Sequence, residues 1–408
     1  MKYIPGHLLI WTHISLALIL AILSFSCSKD EDPYTEVNTY ENSIYITGSE
    51  SLGTVSATTI RTTATIAGYT QFADYFDYSI KVYKITYRTV FKGESVLASG
   101  VISIPTGISY PLDMAIVGNG LTLADRDAPS AFDLPDNYTG FEFIASVGYI
   151  TIIPDMLGFG VSSDLTYPIH NYQHSARTMI DFIYACEEFI TYERIKASGR
   201  NFMIGYSQGG YIAMAALKMM QEENIDDIYI EAAAVGAGGY NLVGLLKYAL
   251  ARNTYPSPAH LAMLFTSYNE LYGWNRPVTD FFNEPYAGRI PVLLNGEYDR
   301  QQADDQLTTN FDDLFNPVFL QGLKDSTETE VFQALEENSV YDWTPEIPMT
   351  IIHSINDEKI PFSDSESAYN KMVGNGSTTV HLVATETEGH INAAMDFIEV
   401  VLDLFEEL

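Results

Sequence analysis

The chain has 408 residues, of which 47% are hydrophobic, so it is no disordered polypeptide. It is long enough for one large domain with insertions or for two domains. Its 53 acidic residues against 21 Lys and Arg give a net charge of -32, a surface that repels phosphate backbones and argues against nucleic acid as a partner.

The N-terminus carries Lys2 and then an apolar stretch from Leu8 to Phe25, the charge-then-apolar order of an export signal. Cys27 follows directly and resembles the lipidation site of a bacterial lipoprotein, although Ser24 stands where such sites usually carry leucine. Ser28-Lys29-Asp30-Glu31-Asp32 resembles the acidic signal that sends some Gram-negative lipoproteins to the outer face of the outer membrane. The alternative is an uncleaved membrane anchor, which the apolar length permits. Residues 1–26 are thus expected to be a signal peptide and residues 27–45 a flexible acidic tether. On either reading the body faces away from the cytoplasm. Cys186 falls in a helical pattern with Ala176, Met179, Ile180 and Ile183 and is expected to be a buried thiol. With two cysteines in all, no disulfide framework is expected.

From Ser79 the pattern becomes strand-like. Ile80 to Tyr87 alternates, Gly93 marks a turn, and Val96 to Ile104 forms a second strand stopped by Pro105. Shorter and uniformly apolar runs follow: Met114 to Val117, Tyr149 to Ile153, Phe202 to Ile204 and Ile230 to Val235. Helical patterns separate them, which predicts a mostly parallel sheet covered on both faces. From 236 to 348 the rhythm breaks into a Tyr-, Leu- and Asn-rich helical segment. The alternation then returns with Met349 to His353, a helix around Ser365 to Met372, the strand Val380 to Ala384 and a closing helix. Residues 46–235 and 349–408 are expected to form an α/β core, with 236–348 as a helical lid inserted between them.

Gly205-Tyr206-Ser207-Gln208-Gly209-Gly210 follows the apolar Phe202-Met203-Ile204 and opens a helical stretch. A G-x-S-x-G turn in that setting is a nucleophile elbow, with glycines where side chains would collide and the serine hydroxyl lifted clear of the sheet. The N–H of Gln208 then sits at a helix N-terminus and can hold an oxyanion. A serine hydroxyl needs a base to take its proton, and the base needs an acid to orient it. In α/β-hydrolases these follow in the order nucleophile, acid, histidine. Two strand-end acids are available. Asp357 follows Ile351 to Asn356 and precedes one helix, one strand and then Glu388-Gly389-His390. Asp299 follows Pro291 to Gly296 but lies inside the insertion. Asp357 is preferred as the acid and His390 as the base, while His353 is expected to shape the turn that holds Asp357. The second oxyanion donor is expected from Gly118-Asn119-Gly120-Leu121, through the N–H of Leu121. Asp155 is expected to be structural. His170 and His174 have the spacing of two ligands on a helix, but no third ligand accompanies them, so no metal is expected. No phosphate loop or dinucleotide fingerprint is present, and no cofactor is expected.

These features resemble the α/β-hydrolase superfamily and, within it, the secretory lipase family. That family shares the Gly-Tyr-Ser-Gln-Gly-Gly elbow and a helical lid between the nucleophile strand and the acid strand. The stretch Ser99 to Pro105 fits the same enzymes. Asn119 replaces the histidine usual at its position, and the absence of disulfides and the lipoprotein start depart from fungal secreted lipases. The resemblance implies an α/β-hydrolase fold and ester hydrolysis through an acyl-enzyme. The expected substrate is a small-molecule, glycan or lipid ester, and the expected contact with a membrane is through the lipid anchor alone. Two alternatives remain open. One is a serine peptidase, in which Asp299, Asp304, Asp305, Asp312 or Asp313 would hold a substrate amine. The other is a surface lipoprotein that binds ligand without turnover, against which the three catalytic residue types argue.

Overall fold

The computed structural model describes residues 40–407. The predicted signal peptide, Cys27 and the tether up to residue 39 lie outside the described residues. The described part of the tether is a correction. Residues 40–45 are anchored: the Tyr40 ring packs edge-on against Tyr192 at 4.7 Å, and its hydroxyl bonds Ser49 Oγ at 2.7 Å. The Glu188 carboxylate accepts the N–H groups of Ile44, Tyr45 and Ile46 at 2.8–3.0 Å. A composition-based reading sees the acidic run but not the single buried tyrosine that ends it.

The core is a nine-stranded sheet ordered β1-β2-β3-β5-β4-β6-β7-β8-β9. Its strands are β1 (Ile46–Val55), β2 (Ile80–Phe91), β3 (Glu94–Pro105), β4 (Leu112–Gly118), β5 (Ile150–Pro154), β6 (Ala197–Tyr206), β7 (Ile230–Gly236), β8 (Met349–Ser354) and β9 (Val380–Thr385). The strands β1, β2, β3 and β5 pair antiparallel, and every pairing from β5 through β4, β6, β7 and β8 to β9 is parallel. Helices that lie against this sheet include α1 (Ala57–Ile66), α2 (Tyr172–Tyr192), α3 (Gln208–Glu222) and, at the C-terminus, the helix His390–Glu407. The strand β4 shows why both faces must be covered. Met114 and Ile116 enter one buried cluster with α2 and α3, while Ala115 and Val117 enter a second cluster with Phe397 and Val401 of the C-terminal helix. Cys186 is buried in the first cluster as a free thiol.

Between β7 and β8 the chain forms eight helices among the described residues: α4 (Leu242–Arg252), α5 (Pro258–Leu271), α6 (Val278–Phe281), α7 (Tyr286–Leu293), α8 (Arg300–Asp304), α9 (Phe311–Leu314), α10 (Pro317–Lys324) and α11 (Thr329–Glu337). An aromatic cluster holds this insertion together. The ring of Phe265 lies 5.2–6.4 Å from those of Phe281, Phe282, Phe315 and Phe319. The core resumes with β8, α12 (Phe362–Gly374), β9 and α13 (His390–Glu407). No helix among the described residues is long and apolar enough to cross a membrane.

The tightest backbone contact in the core joins α3 to β4. A methyl group at Gly209 would lie well under 3.0 Å from the Gly118 carbonyl oxygen. Gly209→Ala is therefore expected to destabilise the fold by about 1–3 kcal/mol. Gly374→Ala, at the end of α12 with open space around it, is expected to be neutral or to stabilise by up to about 1 kcal/mol. Urea unfolding midpoints of the two variants measure the difference.

Candidate active site

Ser207 joins β6 to α3. Its backbone has φ 56° and ψ -130°, a conformation that L-residues other than glycine adopt only under constraint. The constraint is visible on both sides. The Ser207 N–H is fixed to the Gly236 carbonyl at 2.8 Å. A Cβ at Gly205 would collide with Gly209, and one at Gly210 would lie 2.6 Å from the Gly236 oxygen. The strand and helix thus meet closely enough to push the serine out of regular geometry.

The structure brings Ser207, His390 and Asp357 together. His390 Nε2 lies 2.8 Å from Ser207 Oγ, and His390 Nδ1 lies 2.6 Å from Asp357 Oδ2. A carboxylate only accepts, so Nδ1 carries the proton and Nε2 is free to receive the serine proton. His390 and Asp357 are 4% and 7% exposed, which keeps the imidazole–carboxylate bond out of competition with water.

Asp357 is held by four donors. Its Oδ1 accepts the N–H groups of Lys359 (2.8 Å) and Ile360 (2.9 Å), and its Oδ2 accepts from His390 and, at 3.2 Å, from His353 Nε2. Burial alone would raise its pKa. The hydrogen bonds from His353 and His390, attraction to the imidazolium form of His390 and the Ile360 N–H win, and hold the carboxyl well below the usual carboxylate range. His353 Nε2 also faces the Ile360 carbonyl at 3.0 Å, so it carries the proton, and Nδ1 accepts from the Ser365 hydroxyl at 2.7 Å. The histidine expected to shape this turn therefore does so through its ring.

Two residues that position His390 were not anticipated. The His390 N–H donates to the Glu358 carboxylate at 2.7 Å, and the His390 carbonyl accepts from the Tyr206 hydroxyl at 2.7 Å. Both sit beside motif residues, Glu358 next to Asp357 and Tyr206 next to Ser207, but nothing in their spacing announces a bond to the backbone of residue 390. As the first residue of α3, Gln208 keeps an N–H with no intrahelical acceptor. The loop that contains Leu121 begins where β4 touches Gly209, and Asn119 turns inward there, with Nδ2 donating to Thr122 Oγ1 at 3.1 Å.

The remaining candidates fall elsewhere. Asp299 caps α8 in a capping box and pairs with Arg126 at 3.2 Å; the strand-like run before it is helix α7. Asp155 is fully buried and accepts from the Ser99 hydroxyl and, at 2.8 Å, from the Ser130 N–H, so it ties a loop to β3. His170 and His174 do not converge. The His174 ring packs on Phe91, whereas His170 Nδ1 meets His260 Nε2 of α5 at 3.2 Å. His260 Nδ1 in turn faces the Tyr255 hydroxyl at 3.3 Å. Burial pushes both imidazoles down, that of His260 to about 4, where the charges of Arg300, His390 and Lys359 add to the effect.

The sequence profile of the Alpha/beta hydrolase family matches residues 118–383, more than half of the chain. The chain belongs to that family. Solved structures agree with the placement of this hydrolase. A Legionella pneumophila protein described as a hydrolase superposes with a TM-score of 0.78 at 22% identity, over 89% of this chain and 98% of its own. The rice cell wall degrading esterase LipA of Xanthomonas oryzae gives 0.75 at 23% identity, over 86% and 92%. Candida antarctica lipase A in its closed state gives 0.60 at 16%, over 85% and 77%. At such identities these likenesses establish the fold. No curated protein matches the hydrolase in sequence.

His353→Phe keeps an aromatic ring, though a larger one, but removes the N–H shared by Asp357 and the Ile360 carbonyl. The expected result is a fall in kcat of about 10–100-fold with KM within about threefold, as positioning is lost while binding surface stays. Steady-state kinetics on any ester that the enzyme turns over provides the check.

Proposed function

We propose that this α/β-hydrolase is a serine carboxylic-ester hydrolase. The observation that carries the reading is the continuous chain from Ser207 Oγ through His390 to Asp357, at 2.8 and 2.6 Å. Ser207 attacks the ester carbonyl while His390 Nε2 takes its proton. The tetrahedral oxyanion is held by the N–H groups of Gln208 and Leu121. His390 then protonates the leaving alcohol, and an acyl-Ser207 remains. Water attacks that acyl group with His390 again as base, and collapse releases the acid and the free serine. Asp357 keeps the proton on Nδ1 of His390 and stabilises the imidazolium that forms twice per cycle. The fold neighbours that are an esterase and a lipase agree with this chemistry.

No observation favours a peptidase. Asp299 is paired with Arg126, Asp304 accepts from Ser257 and the Ala259 N–H, Asp305 from Gln301, and Asp312 from Asn253. Four of the five acids that were candidates for holding a substrate amine are thus engaged in holding the insertion. The helical insertion as a lid, a lipid on Cys27 and attachment outside the cytoplasm remain part of the proposal and rest on the sequence pattern.

A panel of chromogenic esters from acetyl to long acyl, with one amino-acyl anilide, tests the reading. Ester turnover is expected to fall by about 10⁴-fold or more in Ser207→Ala and by about 10⁴-fold in Asp357→Ala. Asp299→Ala is expected to stay within about twofold, as a surface change does. Turnover of the anilide alone, or loss in Asp299→Ala but not in Asp357→Ala, would overturn it.

A further inference from the structure

The residue after Ser207 carries an amide that the fold does not use. Gln208 is 4% exposed, and among the described residues neither Oε1 nor Nε2 of its side chain has a hydrogen-bond partner. Burying an amide without partners is unfavourable, and native interiors rarely keep one. The polar side chains beside it are satisfied. A Cβ on Gly209 would come 3.1 Å from the Asn119 carbonyl carbon, so the loop after β4 adjoins this first turn of α3. There the buried Asn119 and Thr122 bond each other at 3.1 Å. Gln208 alone of the three keeps two N–H donors and a carbonyl oxygen uncommitted.

The packing of α3 fixes where this amide lies. Cβ atoms added at Gly209 and Gly210 would strike Gly118 of β4 and Gly236 of β7, so these two residues face the sheet. Successive helical residues are turned by about 100°, which places Gln208 and Tyr211 on the side away from the sheet. The Tyr211 hydroxyl lies 3.0 and 2.7 Å from the carbonyl oxygens of His170 and Asn338, and Asn338 ends α11 of the insertion. That side of α3 therefore looks towards the insertion. Helical side chains also tilt towards the N-terminus of their helix, and α3 begins directly after Ser207. The Gln208 amide is thus directed beneath the insertion, to the end of the sheet where Ser207, His390 and Asp357 meet.

We propose that the Gln208 carboxamide binds a hydroxyl group of the substrate close to the scissile ester, so that the enzyme selects hydroxylated esters over their alkyl counterparts. This inference rests on the ester-hydrolase reading. The backbone N–H of the same residue is the proposed oxyanion donor, so the amide reaches only groups near the ester carbonyl, on its acyl or its alcohol side. A neutral amide offers a donor and an acceptor, which a hydroxyl matches. An alkyl group in that place leaves the buried amide unpaired, and a site built for a hydrogen bond rejects it on that ground.

Two isosteric pairs test this and separate the two sides of the ester. 2-Hydroxyethyl butanoate against propyl butanoate places the hydroxyl on the alcohol. Ethyl 3-hydroxybutanoate against ethyl 3-methylbutanoate places it on the acyl chain. Released acid is titrated for the unaltered enzyme and for Gln208→Met, which keeps the backbone N–H and a side chain of similar length but removes the amide. In at least one pair the ratio of kcat/KM, hydroxylated over alkyl, is expected to be at least about fivefold higher in the unaltered enzyme than in the variant. Comparing ratios cancels the intrinsic reactivity of each ester and any loss of active protein. Urea unfolding gives a second reading. The midpoint of Gln208→Met should match or exceed that of the unaltered protein, because no internal hydrogen bond is lost. Equal ratios in both pairs overturn the hydroxyl site, while Ser207-dependent turnover of the alkyl esters leaves the hydrolase reading standing. A clearly lower midpoint, or a variant that does not fold, shows that the amide serves the fold and overturns the site as well. No turnover of any of the four esters overturns the inference, and the hydrolase reading falls with it if the chromogenic esters are also inert.

Discussion

The contact between Gly209 and the end of β4 is the constraint on which the site depends. With no side chain at residues 118, 205 and 209, the first turn of α3 comes to rest against the Gly118 carbonyl. Ser207 is left in a backbone conformation that costs roughly 1–3 kcal/mol when imposed on a residue other than glycine. The packing around it sustains that cost, because α3 is buried along nearly its whole length and the Ser207 N–H is fixed to the Gly236 carbonyl. The same approach sets the Gln208 N–H beside the loop that follows β4. One backbone contact therefore positions both Ser207 and the first turn of α3 that carries the Gln208 N–H.

The other half of the site arrives by topology. In the parallel run β4-β6-β7-β8-β9 the strands end on one side, so residues from β6, the loop after β8 and the loop after β9 meet there. Ser207 and His390 are 183 residues apart in sequence and 2.8 Å apart in space. Their alignment rests on backbone clamps: Glu358 on the His390 N–H, Tyr206 on its carbonyl, and His353 with two N–H groups on Asp357. A carboxylate that many donors hold ionised is the partner a histidine needs if its proton is to stay on Nδ1.

The elbow was legible in the sequence because tight packing demands glycines at fixed offsets around the serine. The core strands after residue 79 were legible because strands covered on both faces must be uniformly apolar. Asp357 was preferred over Asp299 on chain order, and the structure joins Asp357 to His390 while it gives Asp299 to a helix cap. What the sequence hid has physical causes. The strand β1 is an edge strand of mixed polarity with two register shifts, so its alternation is blurred, and α1 is rich in threonine. The docking of residues 40–45 depends on Tyr40 and on a carboxylate 142 residues away or more. The positioning roles of Glu358 and Tyr206 are bonds to backbone atoms, which leave no trace in residue spacing. The insertion is held by aromatic contacts between short helices, which follow no period.

The central claim is that Ser207 is made nucleophilic by His390 and Asp357. Its most direct test is labelling of the purified protein with a fluorophosphonate, followed by peptide mass spectrometry. The account predicts one adduct per chain, on Ser207, that forms rapidly in the unaltered enzyme and is lost in a folded His390→Ala variant. A folded protein in which Ser207 takes up no label, or labels equally well without His390, would contradict it.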